Sequence, residues 1–279
     1  MLADAFRAEN YRFWKNRLTV LWTIAFVPVV GVIFGAIGNL ALRANTPRLM
    51  AEADLPPQVA GLLAGGPLDL GASMVQAAAS LAGPPLLLFA LIGAATVYAG
   101  DYRWETWRLI SARNSRRNLL LAKVGVVAVI ALIALAAMVV AGVTNDLIKA
   151  SVFKRSLAFH MDGADAGRWS LLALLSWWRV MQFTLLALLA ATLSRSLLAT
   201  LFVPIVVGVA GAAAPALLAA AGVGPDDWLS VLAHPGGAIE TLQTAVHPRP
   251  GEVLAPGLAV KAWCSGLRWT ALPLVGALL

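Results

Sequence analysis

Long apolar runs alternate with short polar clusters along this chain, and the runs match a bilayer in length rather than the core helix of a soluble domain. Crossing the hydrocarbon layer takes about 20 helical residues. Six runs qualify: 18–42, 81–99, 119–143, 169–193, 197–221 and 258–279. The second is short unless it extends back through Pro84 and Pro85, and the sixth is interrupted by Lys261 and Arg268. Residues 1–17 follow a different pattern. Leu2, Phe6, Phe13 and Trp14 suit the apolar side of a helix lying in the membrane interface, with Arg12, Lys15 and Arg17 turned to headgroups. The pattern predicts an all-α polytopic membrane protein with six spans behind an interfacial N-terminal helix.

The largest polar island is GDYRWETWRLISARNSRRNLLLAK at 100–123. From Tyr102 to Ala112 it has no Gly or Pro, and Trp104, Trp107, Leu109 and Ile110 recur two or three apart. That suits a short helix along the membrane surface, tryptophans inward and arginines outward. Asp101 can cap its start, and Glu105 sits in the first turns, where the helix dipole favours negative charge. Asn114-Ser115 reads as a turn. Two readings stand. A loop that only fixes orientation explains Arg113, Arg116, Arg117 and Lys123. A docking helix for a cytoplasmic protein also explains Trp104, Glu105, Thr106 and Trp107.

Composition strengthens the membrane reading. Hydrophobic residues make up 60% of the 279 and charged residues only 13%, with a mean hydropathy of +0.80; soluble domains carry about a quarter charged. A net charge of +7 fits basic cytoplasmic loops against anionic lipid rather than nucleic acid. The single cysteine, Cys264, excludes an internal disulfide and a Cys-cluster metal site. No GxxxxGK[ST] loop is present to hold a nucleotide. The first apolar run is too long for the h-region of a cleaved signal.

Lys and Arg set the orientation. Arg7, Arg12, Lys15 and Arg17, six residues of 100–123, and Arg195 fall on one side. The other side has Arg43, Arg48, Lys149, Lys154, Arg155, Arg168, Arg249 and Lys261 spread over longer loops. Density places both termini, 100–123 and 194–196 in the cytoplasm. The outer loops are then 43–80, 144–168 and 222–257. In the last, Trp228–Leu232 and Ala238–Ala245 read as short helical pieces between prolines, suited to re-entering the outer leaflet. Asn145 and Asp146 are expected to end span three.

Few polar residues fall inside spans. Arg179 follows Trp177-Trp178 in span four, where an arginine at mid-bilayer costs about 2.5–3.5 kcal/mol. Either it faces an anion in a translocation path, or span four begins late and Arg179 sits with its tryptophans at the outer headgroups; the tryptophans tip the balance to the second. His160, His234 and His247 all lie on outer loops without ligand spacing, so no metal site is expected. Gly31 and Gly35 form a small-xxx-small pair that suits close helix packing, within the chain or against a second copy.

These residues resemble the export-type ABC transporter permeases (the type 2 class). That family has an interfacial elbow helix with a glutamate before a basic patch, matched by Glu9, Trp14, Lys15 and Arg17. It also has a coupling helix between spans two and three, matched over 101–117 by Asp101-Tyr102, Thr106-Trp107-Arg108, Asn114-Ser115-Arg116 and then Leu120-Leu121-Ala122-Lys123. Glu105 stands where glycine is usual and Asn114 where proline is usual. The layout covers the chain as one permease domain, while specific motifs cover about the first 125 residues. The family's basic, aromatic tail is not matched at Leu278-Leu279, so the resemblance implies a chain cut short there.

The resemblance implies ATPase docking through Asp101, Trp104, Glu105, Thr106, Trp107, Arg108, Arg113 and Arg116. It implies a separate ABC ATPase subunit binding ATP and Mg, a second permease, identical or related, and a bacterial inner-membrane location. The chain itself would bind no cofactor and catalyse nothing. A non-transporting membrane anchor or immunity-type protein that recruits the ATPase is the alternative. An intramembrane enzyme and an ion-driven carrier are disfavoured, because the spans hold almost no carboxylate and no histidine.

Overall fold

A computed structural model describes residues 2–49, 66–103, 114–248 and 254–279. Helices dominate. An N-terminal helix α1 (Leu2–Lys15) leads into α2, which runs through Arg17–Val20, a π-helical turn at Leu21–Ala25, and Phe26–Leu49. Then follow α3 (Leu70–Ala78), α4 (Pro84–Arg103), α5 (Arg116–Phe153), α6 (Gly163–Ser194) and α7 (Leu197–Ala220). Two short helices, α8 (Trp228–Ala233) and α9 (Gly237–Val246), precede α10 (Leu258–Leu278). The strands β1 (Leu68–Asp69) and β2 (Leu157–Ala158) pair in parallel.

Polar side chains start the helices where the sequence breaks its apolar runs. Asn16 accepts from Thr19 N (3.2 Å) at α2, Asp69 from Gly71 N (2.9 Å) at α3, and Ser115 from Asn118 N (3.3 Å) at α5. Asp162 accepts from Asp165 N (2.7 Å) at α6. Each bond satisfies an N–H that has no partner inside its own helix.

Among the described residues, five helices are long and apolar enough to cross a membrane: Arg17–Thr46, Pro84–Tyr102, Arg116–Phe153, Gly163–Ser194 and Leu197–Ala220. The chain is therefore an all-α membrane-type bundle. The sixth expected run forms the 21-residue helix α10 but is not among the five, since Lys261 and an exposed Arg268 dilute its apolar character. Span two starts at Pro84, three residues later than the hydropathy pattern placed it, and continues to Arg103. The helix of span three continues past Asn145 and Asp146 to Phe153, where Lys154 adopts a left-handed conformation. The segment 43–80, read as a loop, contains α3. That helix is only nine residues long, and its buried face of Gly71, Val75 and Ala78 is stabilised against α5 and α6.

Helix α6 is the hub. It packs against α3, α4, α5, α7, α9 and α10, and its most apolar window is 67% buried, against 11% for α2. Leu91, Ala94 and Tyr98 of α4, Val126, Val127 and Ile130 of α5, and Val180, Leu185 and Leu188 of α6 form the main core. Several polar side chains of the hub bond to neighbouring helices. Gln182 Nε2 donates to Gly266 O (2.9 Å) and Trp178 Nε1 to Thr270 Oγ1 (2.8 Å), fastening α10 to α6. Trp177 Nε1 donates to Ala128 O (3.1 Å). Both tryptophans thus spend their N–H groups within the bundle rather than at headgroups.

Gly35 belongs to an internal contact. A Cβ there would lie 2.3 Å from Asn145 Oδ1, and Asn145 Nδ2 donates to Gly31 O (3.3 Å). The small pair thus lets α5 approach α2 within one chain, as the first of the two packing readings expected.

Candidate functional site

The first site lies where α1, the end of α4 and the start of α5 meet, directly beside the charged stretch. On α1, Ala5, Glu9 and Phe13 recur every four residues and form its buried face against α5. The sequence pattern put Trp14 and Leu2 on the apolar side with Phe13; both are exposed, and Trp14 Nε1 instead donates to Asn10 Oδ1 (3.0 Å). On α4, Gly93, Val97 and Asp101 follow the same four-residue spacing. On α5, Lys123 lies two turns in from the Ser115 cap.

Lys123 is 2% exposed, and its ammonium has three donors and three acceptors around it. It donates to Val97 O, lies 3.4 Å from Glu9 Oε2 and pairs with Asp101 Oδ2 at 2.8 Å. Arg12 Nη1 closes the cluster from the rim, 3.2 Å from both Glu9 Oε1 and Asp101 Oδ1. Two acids and two bases balance. Burying charges this way is tolerable only because each is paired. A pocket of about 340 Å³ opens beside the cluster, lined also by Asn16, Thr19 and Thr96.

The other sequence-derived candidates divide. Lys15 Nζ lies 5.2 Å from the centre of the Tyr11 ring. Arg17 opens α2 and is exposed, as is Arg116, the first residue of α5. Trp104, Glu105, Thr106, Trp107, Arg108 and Arg113 lie outside the described residues. The cluster's other members were read differently in sequence: Arg12 as a headgroup contact and Lys123 as a loop cation. The available signal was a lysine at the fifth residue of the apolar run 119–143 with no nearby acid, which implies a distant partner.

A second polar site lies at the opposite end of the bundle. Helix α6 begins at Gly163, so Arg179 sits about 24 Å along it, near the middle rather than at an end. Its side chain is 16% exposed and pairs with Glu240 Oε1 of α9 at 2.7 Å. The pair faces a cavity of about 920 Å³ between α3, α5, α6 and α9. Gln76, Asp146, His234 and His247 share its lining. Burial holds the His234 imidazole below its ordinary pKa; Glu240 opposes this and Arg179 adds to it, so the ring is neutral at pH 7. His247 Nε2 lies 3.1 Å from Gln76 Oε1, joining α9's end to α3. Arg179 thus faces protein and the cavity.

Among the described residues, no three His, Cys, Asp or Glu side chains gather as metal ligands. Comparison with protein-family models, curated proteins and solved structures finds no match.

Proposed function

We propose that the chain is the membrane-spanning permease subunit of an ATP-binding-cassette transporter, exporting a hydrophobic drug, a lipid or a peptide across the bacterial inner membrane. A separate ATPase supplies ATP binding and hydrolysis, a second permease completes the pathway, and both termini lie in the cytoplasm. One observation carries this reading. The buried Lys123 joins α1 to both flanks of the 104–113 segment, through Asp101 on one side and through its own helix on the other. A segment that receives a mechanical push transmits it only if its attachments are stiff. Three helices locked through one saturated ammonium move as a unit, so a displacement at 104–113 reaches α1, α4 and α5 together. ATP would then shift the balance between two access states by binding one of them better.

The test is reconstitution with the partner ATPase. Arg108→Glu and Trp107→Ala abolish stimulation of the ATPase and its co-purification, while the permease inserts normally. Wild-type ATPase rates in both variants refute the docking assignment. Retained docking without cargo movement in the wild-type pair favours the non-transporting anchor.

Topology is tested with the chain's single cysteine. Cys264 is an exposed side chain six residues into α10, about 9 Å from the helix start. If α10 is the sixth span, a water-soluble maleimide leaves Cys264 unmodified in intact membranes and labels it once detergent is added. Full labelling without detergent shows that α10 does not cross.

A further inference from the structure

The cavity at the Arg179 end differs from the apolar interior that the spans would suggest. Its walls carry Gln76, Asp146, Arg179, His234, Glu240 and His247. Helix α9 is built for this position: Ala238, Ile239 and Leu242 are buried against its neighbours, while Glu240 and Thr244 are left to the cavity side. Its volume of about 920 Å³ lies in the range of small-molecule sites.

The charges define what fits. Arg179 uses Nη2 for Glu240 (2.7 Å), and its Nε is buried with no hydrogen-bond partner among the described residues. An arginine binds a carboxylate best through two nitrogens at once, so Glu240 leaves this guanidinium half satisfied. Glu240 is half exposed, whereas Arg179 is mostly covered, so the glutamate is the member able to swing away. A ligand carboxylate that takes both nitrogens of Arg179 releases Glu240, which then needs a cation. A ligand bringing only an anion leaves Glu240 and Asp146 facing it. One bringing only a cation competes with Arg179 for Glu240. A molecule carrying both groups satisfies Arg179 and Glu240, while Asp146 already lies 3.8 Å from Lys149.

We infer that this cavity binds a short zwitterionic peptide, its terminal carboxylate on Arg179 and its ammonium on Glu240. As the identity of an exported cargo this rests on the transporter reading; as a binding site it stands without the ATPase. A zwitterionic lipid headgroup shares the charge pattern, and the wall also carries Ala77, Ala79, Ala82, Pro84, Leu254 and Leu258, so the test sets a headgroup against the peptide.

The full chain in lipid nanodiscs, without the ATPase, is titrated calorimetrically with tri-alanine, N-acetyl-tri-alanine, tri-alanine amide and glycerophosphoethanolamine. Tri-alanine binds, and each singly blocked peptide binds at least about tenfold more weakly. Arg179→Gln loses binding. Because that change can also disturb the pair that fastens α9, Glu240→Gln serves as the second variant: it keeps the fold and erases the difference between tri-alanine and its N-acetyl form. Equal affinity for free and blocked peptides, no heat with tri-alanine, or preference for glycerophosphoethanolamine overturns the proposal. Peptide binding with no ATPase stimulation would leave the site intact and refute only the transporter reading.

Discussion

Lys123→Met lowers the thermal unfolding midpoint of the detergent-solubilised protein by about 10 °C and sharply cuts the yield of monodisperse material. The substitution keeps the side chain's length and bulk but removes the ammonium that faces Glu9 and Asp101. Two largely buried carboxylates then lose their buried countercharge, and Arg12, itself half exposed at the rim, does not replace it. Removing one partner from a buried pair costs about 3–5 kcal/mol, a large share of a typical protein's stability. Neutralising the buried members together should behave differently. In Glu9→Gln, Lys123→Met and Asp101→Asn combined, the only cluster charge left is that of the half-exposed Arg12, and most of the midpoint returns. Unfolding midpoints, read from tryptophan fluorescence, check both. A single variant as stable as wild type, or a triple variant no better than the single, would mean that the cluster does not hold these helices together.

The second large effect is steric. Gly93 lies one turn before Val97 on the same stripe of α4, facing the π-helical turn of α2. A Cβ added there would come within 2.5 Å of Thr23 Oγ1 and 2.6 Å of Thr23 Cγ2. Thr23 is 2% exposed and β-branched, so it has little room to rotate out of the way. Gly93→Leu therefore drives α2 off α4 and costs about 3 kcal/mol, the upper range for overpacking. Truncating the opposing side chain relieves much of this: Gly93→Ala with Thr23→Ala is more stable than Gly93→Ala alone, and a double-mutant cycle gives a coupling of about 1 kcal/mol. Purely additive losses would show that the two side chains do not meet. Because α2 carries α1 and α4 carries Asp101, the same variants should loosen the Lys123 cluster.

Much of this architecture was legible before any tertiary contact was known. The prolines of 222–257 delimit two short helices, read as Trp228–Leu232 and Ala238–Ala245 and found as Trp228–Ala233 and Gly237–Val246. Turn residues read from the sequence, such as Ser115, proved to be helix caps. Two features were hidden. Helix α3 is too short, at nine residues, to stand out from the stretch around it, and helix α5 continues past Asn145 and Asp146. Asn145 is polar because it packs on α2, where its amide reaches Gly31 O. The tryptophans beside Arg179 looked like interface anchors, whereas both indoles find acceptors inside the bundle.

The amino-acid order alone determined that the chain is helical, that it is apolar enough to cross a membrane repeatedly, and where most helices start and stop. Hydropathy and capping are sums over a few neighbouring residues, so they are present in the string itself. Only the tertiary structure decided which charges are partners. Lys123 meets Glu9 across a separation of 114 residues, and Arg179 meets Glu240 from a helix that the sequence places in a loop. No local period contains such pairs, because they exist only once apolar packing has brought distant helices close and desolvation has made an unpaired charge too costly to leave.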